Sequence, residues 1–186
     1  VLSVVIPTRN RCDVLGMTLE ALNRQEGVGG RFEVVVVDNA STDATADLAR
    51  SGGCRVISED RRIIAAVRNT GARHARGRVL VFVDADNIMH PETFNAIDKS
   101  LSTGKVIAGS SGVNIQRMSL GIAVTYALMV PLVWVTRMDT GVVFCRRDDF
   151  EAIGGYNEDL LFAEDVQLLW DLMRLGWKQG RKLSAT

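Results

Sequence analysis

Short, uninterrupted apolar runs alternate with amphipathic stretches through the first half of the chain. Three of these runs are continuous and rich in β-branched residues: Leu2–Ile6, Val34–Val37 and Val79–Val83. A continuous apolar run is typical of a strand that is buried on both faces, as strands of a parallel sheet usually are. The pattern therefore predicts strands that follow one another through right-handed helical crossovers.

The stretches around these runs carry apolar residues at helical spacing. Asp13 is placed to cap a first helix, and Ser41 or Asp43 to cap a second that ends at Gly52-Gly53. The remaining predicted elements are helices over Ala65–Arg76 (closed by Gly77), Pro91–Leu101 and Glu164–Leu175 (closed by Gly176), and a buried strand over Gly141–Cys145. The expected fold class is α/β, with a mostly parallel central sheet flanked by helices.

Acidic residues directly follow two of the predicted strands. Asp38 follows Val34–Val37, while Asp84 and Asp86 follow Val79–Val83. The carboxyl ends of parallel strands form the crevice in which open α/β sheets bind ligands, so these carboxylates should converge there. Two acids spaced i, i+2 suit a hard cation such as Mg²⁺ or Mn²⁺, completed by water and phosphate. Each acid alone is equally compatible with a turn or a helix cap, and only their pairing favours a site.

Two further groups of charged residues suggest chemistry. Six arginines and no acid lie between positions 61 and 78, a pattern that suits a diphosphate or an anionic membrane surface. A solvated helix face accounts for at least half of them, which leaves Arg68 and Arg73 as candidates. The pair Glu164-Asp165 opens the last predicted helix, where acids are favoured by the helix dipole. Asp165 is also a candidate general base if that helix points into the crevice.

Composition narrows the classes of function. Lys plus Arg and Asp plus Glu number 22 each, so the net charge is zero, and nucleic acid is not an expected partner. The three cysteines (Cys12, Cys54, Cys145) are odd in number and widely spaced, which suits a reducing compartment rather than a disulfide framework. We therefore expect a cytoplasmic protein.

Residues 118–135 form an apolar stretch without a charge. A membrane span there would separate Asp84 and Asp86 from Glu164-Asp165 by a bilayer, so they could not share a site. Two interpretations stay open: a helix in the core or in a homodimer interface, or an interfacial helix that faces lipid or a lipid-linked acceptor. The second would place the protein peripherally at the inner face of the membrane.

Taken together, the motifs resemble those of the family 2 glycosyltransferases, which are inverting enzymes with the GT-A nucleotide-sugar fold. The resemblance rests on six stretches in register, and it covers almost the whole chain. They are Ser3–Asn10, Val34–Asp43, Arg68–Arg73, Val83–Asn87, Gly141–Arg147 and Gly154–Tyr156, followed by Glu164-Asp165.

The resemblance implies a role for each candidate residue. It implies nucleotide binding by Pro7, Thr8, Arg9, Asp38, Arg68 and Asp84, with Asp38 on the uracil ring. Asp86 would ligate Mn²⁺ or Mg²⁺ directly, and Asp84 would lie at the ribose or a metal-bound water. Asp165, with Glu164 beside it, would deprotonate the acceptor hydroxyl. The implied activity is metal-dependent, inverting transfer of a hexosyl group from a nucleotide-sugar, UDP-linked in the first place, to a saccharide or lipid-linked acceptor in cell-surface polysaccharide or glycolipid synthesis.

The chain departs from the family pattern in places. Asp171 stands where many members carry Arg, and neither His74 nor His90 is expected to supply the further metal ligand that members often have near the C-terminus. We expect one domain over 1–186, with a nucleotide-sugar half (1–110) and an acceptor half (111–186) truncated at its C-terminus. Two alternatives remain: a catalytically silent nucleotide-sugar binder, and a haloacid-dehalogenase-like phosphotransferase that uses the D-x-D acids.

Overall fold

A computed structural model describes residues 1–26, 32–111, 141–160 and 162–185, so the apolar stretch 118–135 lies outside the described residues. Strands and helices alternate along the described parts of the chain. In chain order they are β1 (Leu2–Thr8), α1 (Leu15–Asn23), β2 (Phe32–Asp38), α2 (Thr45–Ser51), β3 (Arg55–Ser58), α3 (Ile64–His74), β4 (Val79–Phe82), α4 (Thr93–Ser102), β5 (Val106–Ser110), β6 (Val143–Arg146), α5 (Arg147–Ala152), α6 (Glu164–Lys178) and β7 (Lys182–Ala185).

The strands form one seven-stranded sheet in the order β3-β2-β1-β4-β6-β5-β7. Strands β1 to β4 pair in parallel with one another, and β5 pairs in parallel with β7. β6 runs antiparallel to both of its neighbours, β4 and β5, and is the one reversed strand of this sheet. The expected α/β fold with a mostly parallel central sheet is confirmed.

Helices cover both faces of this sheet, and each face has its own apolar core. Neighbouring residues of β1 contribute to opposite cores, because side chains alternate between the faces of a strand. Val5 belongs to the core under α3, α5 and α6. Val4 and Ile6 belong to the core under α1, α2 and α4. This double coverage explains why the strands are continuous apolar runs in the sequence. Among the described helices, none is both long and apolar enough to cross a bilayer.

The predicted N-caps are only partly correct. No side chain caps α1, so the prediction for Asp13 is wrong. The carbonyl of Arg11 instead accepts the N–H of Leu15, in a turn of main chain that precedes the helix. Before α2, the Asp43 carboxylate accepts the N–H of Thr45 at 3.0 Å, although Ala44 is the residue at the N-cap position. The hydroxyl of Ser41 accepts the N–H of Asn10 and does not serve the helix.

The prediction that Gly176 closes the last helix is also wrong. The helix α6 continues to Lys178, and the left-handed residue beyond its end is Gly180, at φ 69°. Gly176 lies inside the helix. A Cβ at this position would come within 2.8 Å of the Arg181 carbonyl oxygen and 2.9 Å of Ile107 Cγ2. A close approach, rather than a turn, requires glycine at this position.

The helix α3 lies very close to the sheet. A Cβ on Gly71 would come within 2.3 Å of Val5 Cγ1 and 2.9 Å of Val37 Cγ2, so the helix can pack at this distance only with glycine there. The predicted helix continued to Arg76, but α3 ends at His74. Its tight packing buries the polar residues Arg68 and Asn69, which then reach the site described next.

Candidate functional site

A pocket of about 400 Å³ opens beside the ends of β1 and β4. Five residues that the sequence singles out line it: Pro7, Thr8, Arg9, Asp84 and Asp86. The other lining residues, which sequence reasoning missed, are Arg11, Asn39, Arg62, Ile64, Val67 and Ala85. Three of the lining side chains are exposed arginines, so the pocket presents guanidinium groups opposite two carboxylates. This mixture suits a polyanionic ligand that also carries a cation.

Two buried polar atoms next to this pocket have no protein partner. Thr8 and Asp38 face each other across the β1–β2 register, at the carboxyl ends of the two strands. Thr8 is 4% exposed and Asp38 is 8% exposed, and within the described chain neither Thr8 Oγ1 nor Asp38 Oδ1 has a hydrogen-bond partner. Most buried polar groups are hydrogen-bonded, so two orphans side by side mark a place where a polar ligand would bind.

The D-x-D acids lie on the same pocket. Asp84 and Asp86 are exposed and flank the buried Ala85, whose carbonyl accepts the Thr18 hydroxyl at 2.7 Å. Arg68 Nη2 lies 2.9 Å from Asp84 Oδ1, whereas Asp86 contacts no other charged or polar side chain among the described residues. Two carboxylates on one pocket fit a divalent cation that takes its other ligands from water and phosphate. Nowhere in the described residues do three or more His, Cys, Asp or Glu side chains lie close enough together to hold a metal ion without further ligands.

Arg68 is a buried cation shared by three carboxylates. The residue is only 5% exposed. Its Nη1 lies 2.6 Å from Glu164 Oε1 and 3.0 Å from Asp165 Oδ2, while Nη2 binds Asp84. Val67 lines the pocket, whereas the Arg68 guanidinium lies among the acids and joins the D-x-D segment to the start of α6. The sequence singled out Arg68 through the run of arginines and the family resemblance, but it did not predict these three ion pairs.

Asp165 accepts a hydrogen bond on one of its oxygens and forms an ion pair through the other. The buried Tyr156 hydroxyl donates to Oδ1 at 2.8 Å, and Arg68 lies beside Oδ2. Burial raises the pKa of Asp165, and the charges of Glu164 and Asp84 add to this effect. The charge of Arg68 and the hydrogen bond from Tyr156 oppose it without cancelling it. A carboxylate with a raised pKa is a better proton acceptor than an ordinary one. The contact with Tyr156 was not predicted from the sequence.

The arginines between positions 61 and 78 have different surroundings. Arg61 binds Glu59 at 2.9 Å and Glu158 at 2.6 Å, while Arg62 lines the pocket. Hydrogen bonds from Arg61 and then from Thr70 lower the pKa of Glu59 to about 2. Arg73 is exposed and donates to the Thr70 hydroxyl, away from the acid cluster around Arg68. The interest of Arg68 therefore does not extend to Arg73.

Three non-glycine residues with positive φ border the site. Asn10 (50°) follows β1, Ala40 (52°) follows β2, and Ala163 (59°) precedes α6. Left-handed backbone is uncommon outside glycine and is concentrated at functional sites. Each of the three lies within two residues of a candidate: Thr8, Asp38 and Asp165, respectively.

Solved structures share this fold. The mannosyltransferase PcManGT from Pyrobaculum calidifontis, in complex with GDP-Man and Mn²⁺, superimposes with a TM-score of 0.82 and 26% identity, over 100% of this chain and 54% of that one. S. aureus TarS 1-349 in complex with UDP-GlcNAc gives a TM-score of 0.72 at 22% identity, over 100% of this chain and 55% of that one. These matches confirm the GT-A fold that the resemblance predicted.

Curated relatives are similar over about half of this chain. Validoxylamine A glucosyltransferase from Streptomyces hygroscopicus subsp. jinggangensis is 42% identical over 102 residues, which cover 52% of this chain and 24% of that protein. Glycosyltransferase AglE from Haloferax volcanii is 32% identical over 96 residues, which cover 48% of this chain and 32% of that protein. The matched segment is thus 24% of the first relative's length and 32% of the second's.

A family model covers most of the chain. The model for glycosyl transferase family 2 matches residues 3–147, a range that includes the pocket, the D-x-D acids and Arg68. Together with the fold and the placement of the acids, this match shows that the chain belongs to glycosyl transferase family 2.

Proposed function

We propose that this protein transfers a sugar from a nucleoside diphosphate sugar to an acceptor hydroxyl, with a divalent cation and with inversion at the anomeric carbon. A UDP-sugar is the donor we favour, and a saccharide or lipid-linked acceptor in cell-surface polysaccharide or glycolipid synthesis is the expected substrate. The observation that carries the proposal is the pocket, which is lined by Thr8, Asp84 and Asp86. Two buried polar atoms at this place, Thr8 Oγ1 and Asp38 Oδ1, have no hydrogen-bond partner within the described chain.

The orphaned atoms suit the nucleoside end of the donor. Thr8 Oγ1 can donate to or accept from a base or ribose, whereas Asp38 Oδ1 can only accept, as recognition of a base N–H requires. Pro7 and Arg9 lie beside Thr8 on the pocket wall. A ligand that satisfies both atoms removes the cost of burying them unpaired, so donor binding and local stability are coupled.

The D-x-D acids suit the cation. Asp86 would bind it directly, since its carboxylate is exposed and unshared among the described side chains, and Asp84 would contribute its oxygen that is not held by Arg68. The cation neutralises the charge that develops on the departing diphosphate. Arg9, Arg11 and Arg62 line the same pocket and would hold the phosphates by charge-assisted hydrogen bonds.

Asp165 would act as the base. The acceptor oxygen forms a bond to the anomeric carbon while the bond from that carbon to the diphosphate oxygen breaks, and the hydroxyl proton passes to Asp165. Attack from the face opposite the leaving group inverts the configuration, and no covalent enzyme intermediate forms. Glu164 binds Arg68 at 2.6 Å, and its charge helps to raise the pKa of Asp165.

Two alternatives differ in what they require. A silent nucleotide-sugar binder needs the pocket but not a carboxylate that is held by Tyr156 and Arg68 at the start of α6, so the placement of Asp165 favours the enzyme. A haloacid-dehalogenase-like phosphotransferase is disfavoured by membership of glycosyl transferase family 2.

The test is release of nucleoside diphosphate from UDP-glucose, UDP-N-acetylglucosamine and GDP-mannose in Mn²⁺, because the solved neighbours bind both kinds of nucleotide. We expect turnover of one donor, and a loss of about 10²–10⁴-fold in Asp165→Asn with unchanged nucleotide affinity. The matched control is Asp171→Asn, on the same helix, where the partners of the carboxylate among the described residues are Gln167 and Arg174. Equal rates in Asp165→Asn and wild type would contradict the assignment of the base, and no turnover of any donor would favour the silent binder.

A further inference from the structure

We infer that Tyr156 is a positioning residue for transfer: its buried hydroxyl holds the carboxylate of Asp165 in the orientation that accepts the acceptor proton. The inference rests on the proposed function, and it adds a role that the motifs did not assign. Tyr156 precedes α6 by eight residues and reaches back to Oδ1 of Asp165 at 2.8 Å.

The backbone of Tyr156 is fixed by one side chain. The amide of Asn69 donates to the Tyr156 carbonyl at 2.9 Å, and its oxygen accepts the Tyr156 N–H at 2.9 Å. Gly155 makes this clamp possible, because its φ is 78° and a Cβ there would come within 2.7 Å of Asn69 Oδ1. Asn69 directly follows Arg68 on α3, so adjacent residues of one helix hold Asp165 and the backbone of the residue that binds it.

The ring of Tyr156 is fixed as firmly as its backbone. The residue is 2% exposed, and its ring packs edge-to-face against Phe82 at 5.0 Å and Phe150 at 5.9 Å between centroids. The Arg68 guanidinium carbon lies 5.4 Å from the ring centroid. A ring held on three sides leaves the hydroxyl one direction, which is toward Asp165.

The polarity of the hydrogen bond suits a base. Burial, and then the charge of Asp165, raise the pKa of Tyr156 well above its usual value, so the phenol stays a donor. The charged groups around Asp165 are Arg68 of α3, Glu164 of α6 and Asp84 after β4. Tyr156 donates to one lone pair of Oδ1 and Arg68 forms an ion pair with Oδ2, so each oxygen keeps a lone pair that can accept a substrate proton.

A hydroxyl can be removed here without removing the ring. In the donor-turnover assay, Tyr156→Phe should lower kcat about tenfold to a hundredfold, since the lost bond is to a charged group. The donor KM and the affinity for the free nucleoside diphosphate should not change, and normal affinity also shows that the variant is folded.

The matched control is Phe150→Leu, which disturbs the same aromatic cluster but makes no hydrogen bond to Asp165. We expect it to lower the thermal midpoint more than Tyr156→Phe does, while kcat stays within about threefold of wild type. A purely structural role of Tyr156 would instead make kcat fall in proportion to lost stability in both variants, and that result would overturn the inference.

A double variant tests whether Tyr156 acts through Asp165. If it does, Tyr156→Phe combined with Asp165→Asn should keep the residual rate of Asp165→Asn alone, because coupled residues are not additive. Wild-type kcat in Tyr156→Phe, or a further loss of the full factor in the double variant, would overturn the inference and leave the proposed function intact. Wild-type kcat in Asp165→Asn would contradict the assignment of the base and overturn the inference with it, whereas no turnover of any donor by the wild-type protein would overturn the proposed function.

Discussion

The pocket beside β1 and β4 lies next to a second group of residues, Asp165 with Tyr156, Arg68 and Glu164, which we call the base cluster. The two regions differ in whether their polar groups have protein partners. At and beside the pocket, Thr8 Oγ1 and Asp38 Oδ1 are buried without a partner in the described chain, and Asp86 forms no hydrogen bond or ion pair with a described side chain. In the base cluster, both oxygens of Asp165 are occupied, by Tyr156 and by Arg68. The first region therefore depends on a ligand for its polar contacts, whereas the second is already assembled without one.

This difference separates binding from chemistry. A site that leaves polar atoms unpaired gives up stability until its ligand arrives. A base that is already oriented needs no rearrangement when the acceptor binds, as preorganised catalysis requires. Variants in the pocket should consequently change affinity more than stability, whereas variants in the base cluster should change stability, transfer or both.

The largest expected effect is on stability and comes from Arg68. Arg68→Ala removes the cation that, among the described residues, pairs with Asp84, Glu164 and Asp165, and leaving buried charge unpaired typically costs about 3–5 kcal/mol of unfolding free energy. Urea denaturation measures the loss. Arg62, one of the exposed arginines that line the pocket, is the contrasting position. Arg62→Ala should change stability by less than about 0.5 kcal/mol and should weaken nucleotide binding. Equal destabilisation by the two variants would remove the distinction between the regions.

The next effect is on affinity and comes from Asp86. Asp86→Ala should abolish the dependence of nucleotide binding on Mn²⁺, because it removes the free carboxylate of the pocket. Its thermal midpoint should match that of wild type, since the side chain is exposed. Asp98→Ala, which removes an exposed acid from α4, is the matched control for titration in the presence and absence of Mn²⁺. Metal dependence that persists in Asp86→Ala would contradict the ligand assignment.

A smaller effect links the charge of Asp165 to pH. A carboxyl with a pKa raised by burial favours the folded state while it is protonated, below its ordinary pKa of about 4, and this contribution is lost as the pH rises through the folded-state pKa. Asp165→Asn carries no such titration. Its thermal midpoint relative to wild type should therefore be higher at pH 7.5 than at pH 4, as measured by thermal denaturation. A difference that does not change with pH, or that falls as pH rises, would contradict the prediction.

The smallest effect comes from Thr8. Thr8→Val keeps the shape of the side chain and removes a buried hydroxyl that lacks a partner, so the ligand-free protein should gain up to about 1 kcal/mol of stability. The same change should weaken nucleotide binding. Thr18→Val is the matched control, because the Thr18 hydroxyl is already bonded to the Ala85 carbonyl and its loss should destabilise. Destabilisation of similar size in both variants would mean that the Thr8 hydroxyl is already hydrogen-bonded in the ligand-free protein.

The two regions also differ in how well the sequence predicts them. The pocket follows from local pattern, since Thr8, Asp38 and Asp84 lie at or directly beyond the ends of apolar strands that are readable one at a time. The base cluster depends on the tertiary fold, which brings the side chain of Arg68 on α3 to Glu164 on α6 across 96 positions of the chain. Local spacing in the sequence cannot predict a contact between residues so far apart. The wrong prediction at Gly176 has the same cause. Glycine is common after helix ends, but here it is required by a close approach between elements that are distant in the sequence.

Calorimetric titration of UDP, GDP and dTDP, each in the presence and absence of Mn²⁺, tests the central claim most directly. We expect that one of the three binds and that its binding requires Mn²⁺, because the pocket supplies two carboxylates and leaves the remaining ligands to water and phosphate. Binding of equal strength without Mn²⁺, or no binding of any of the three, would contradict it.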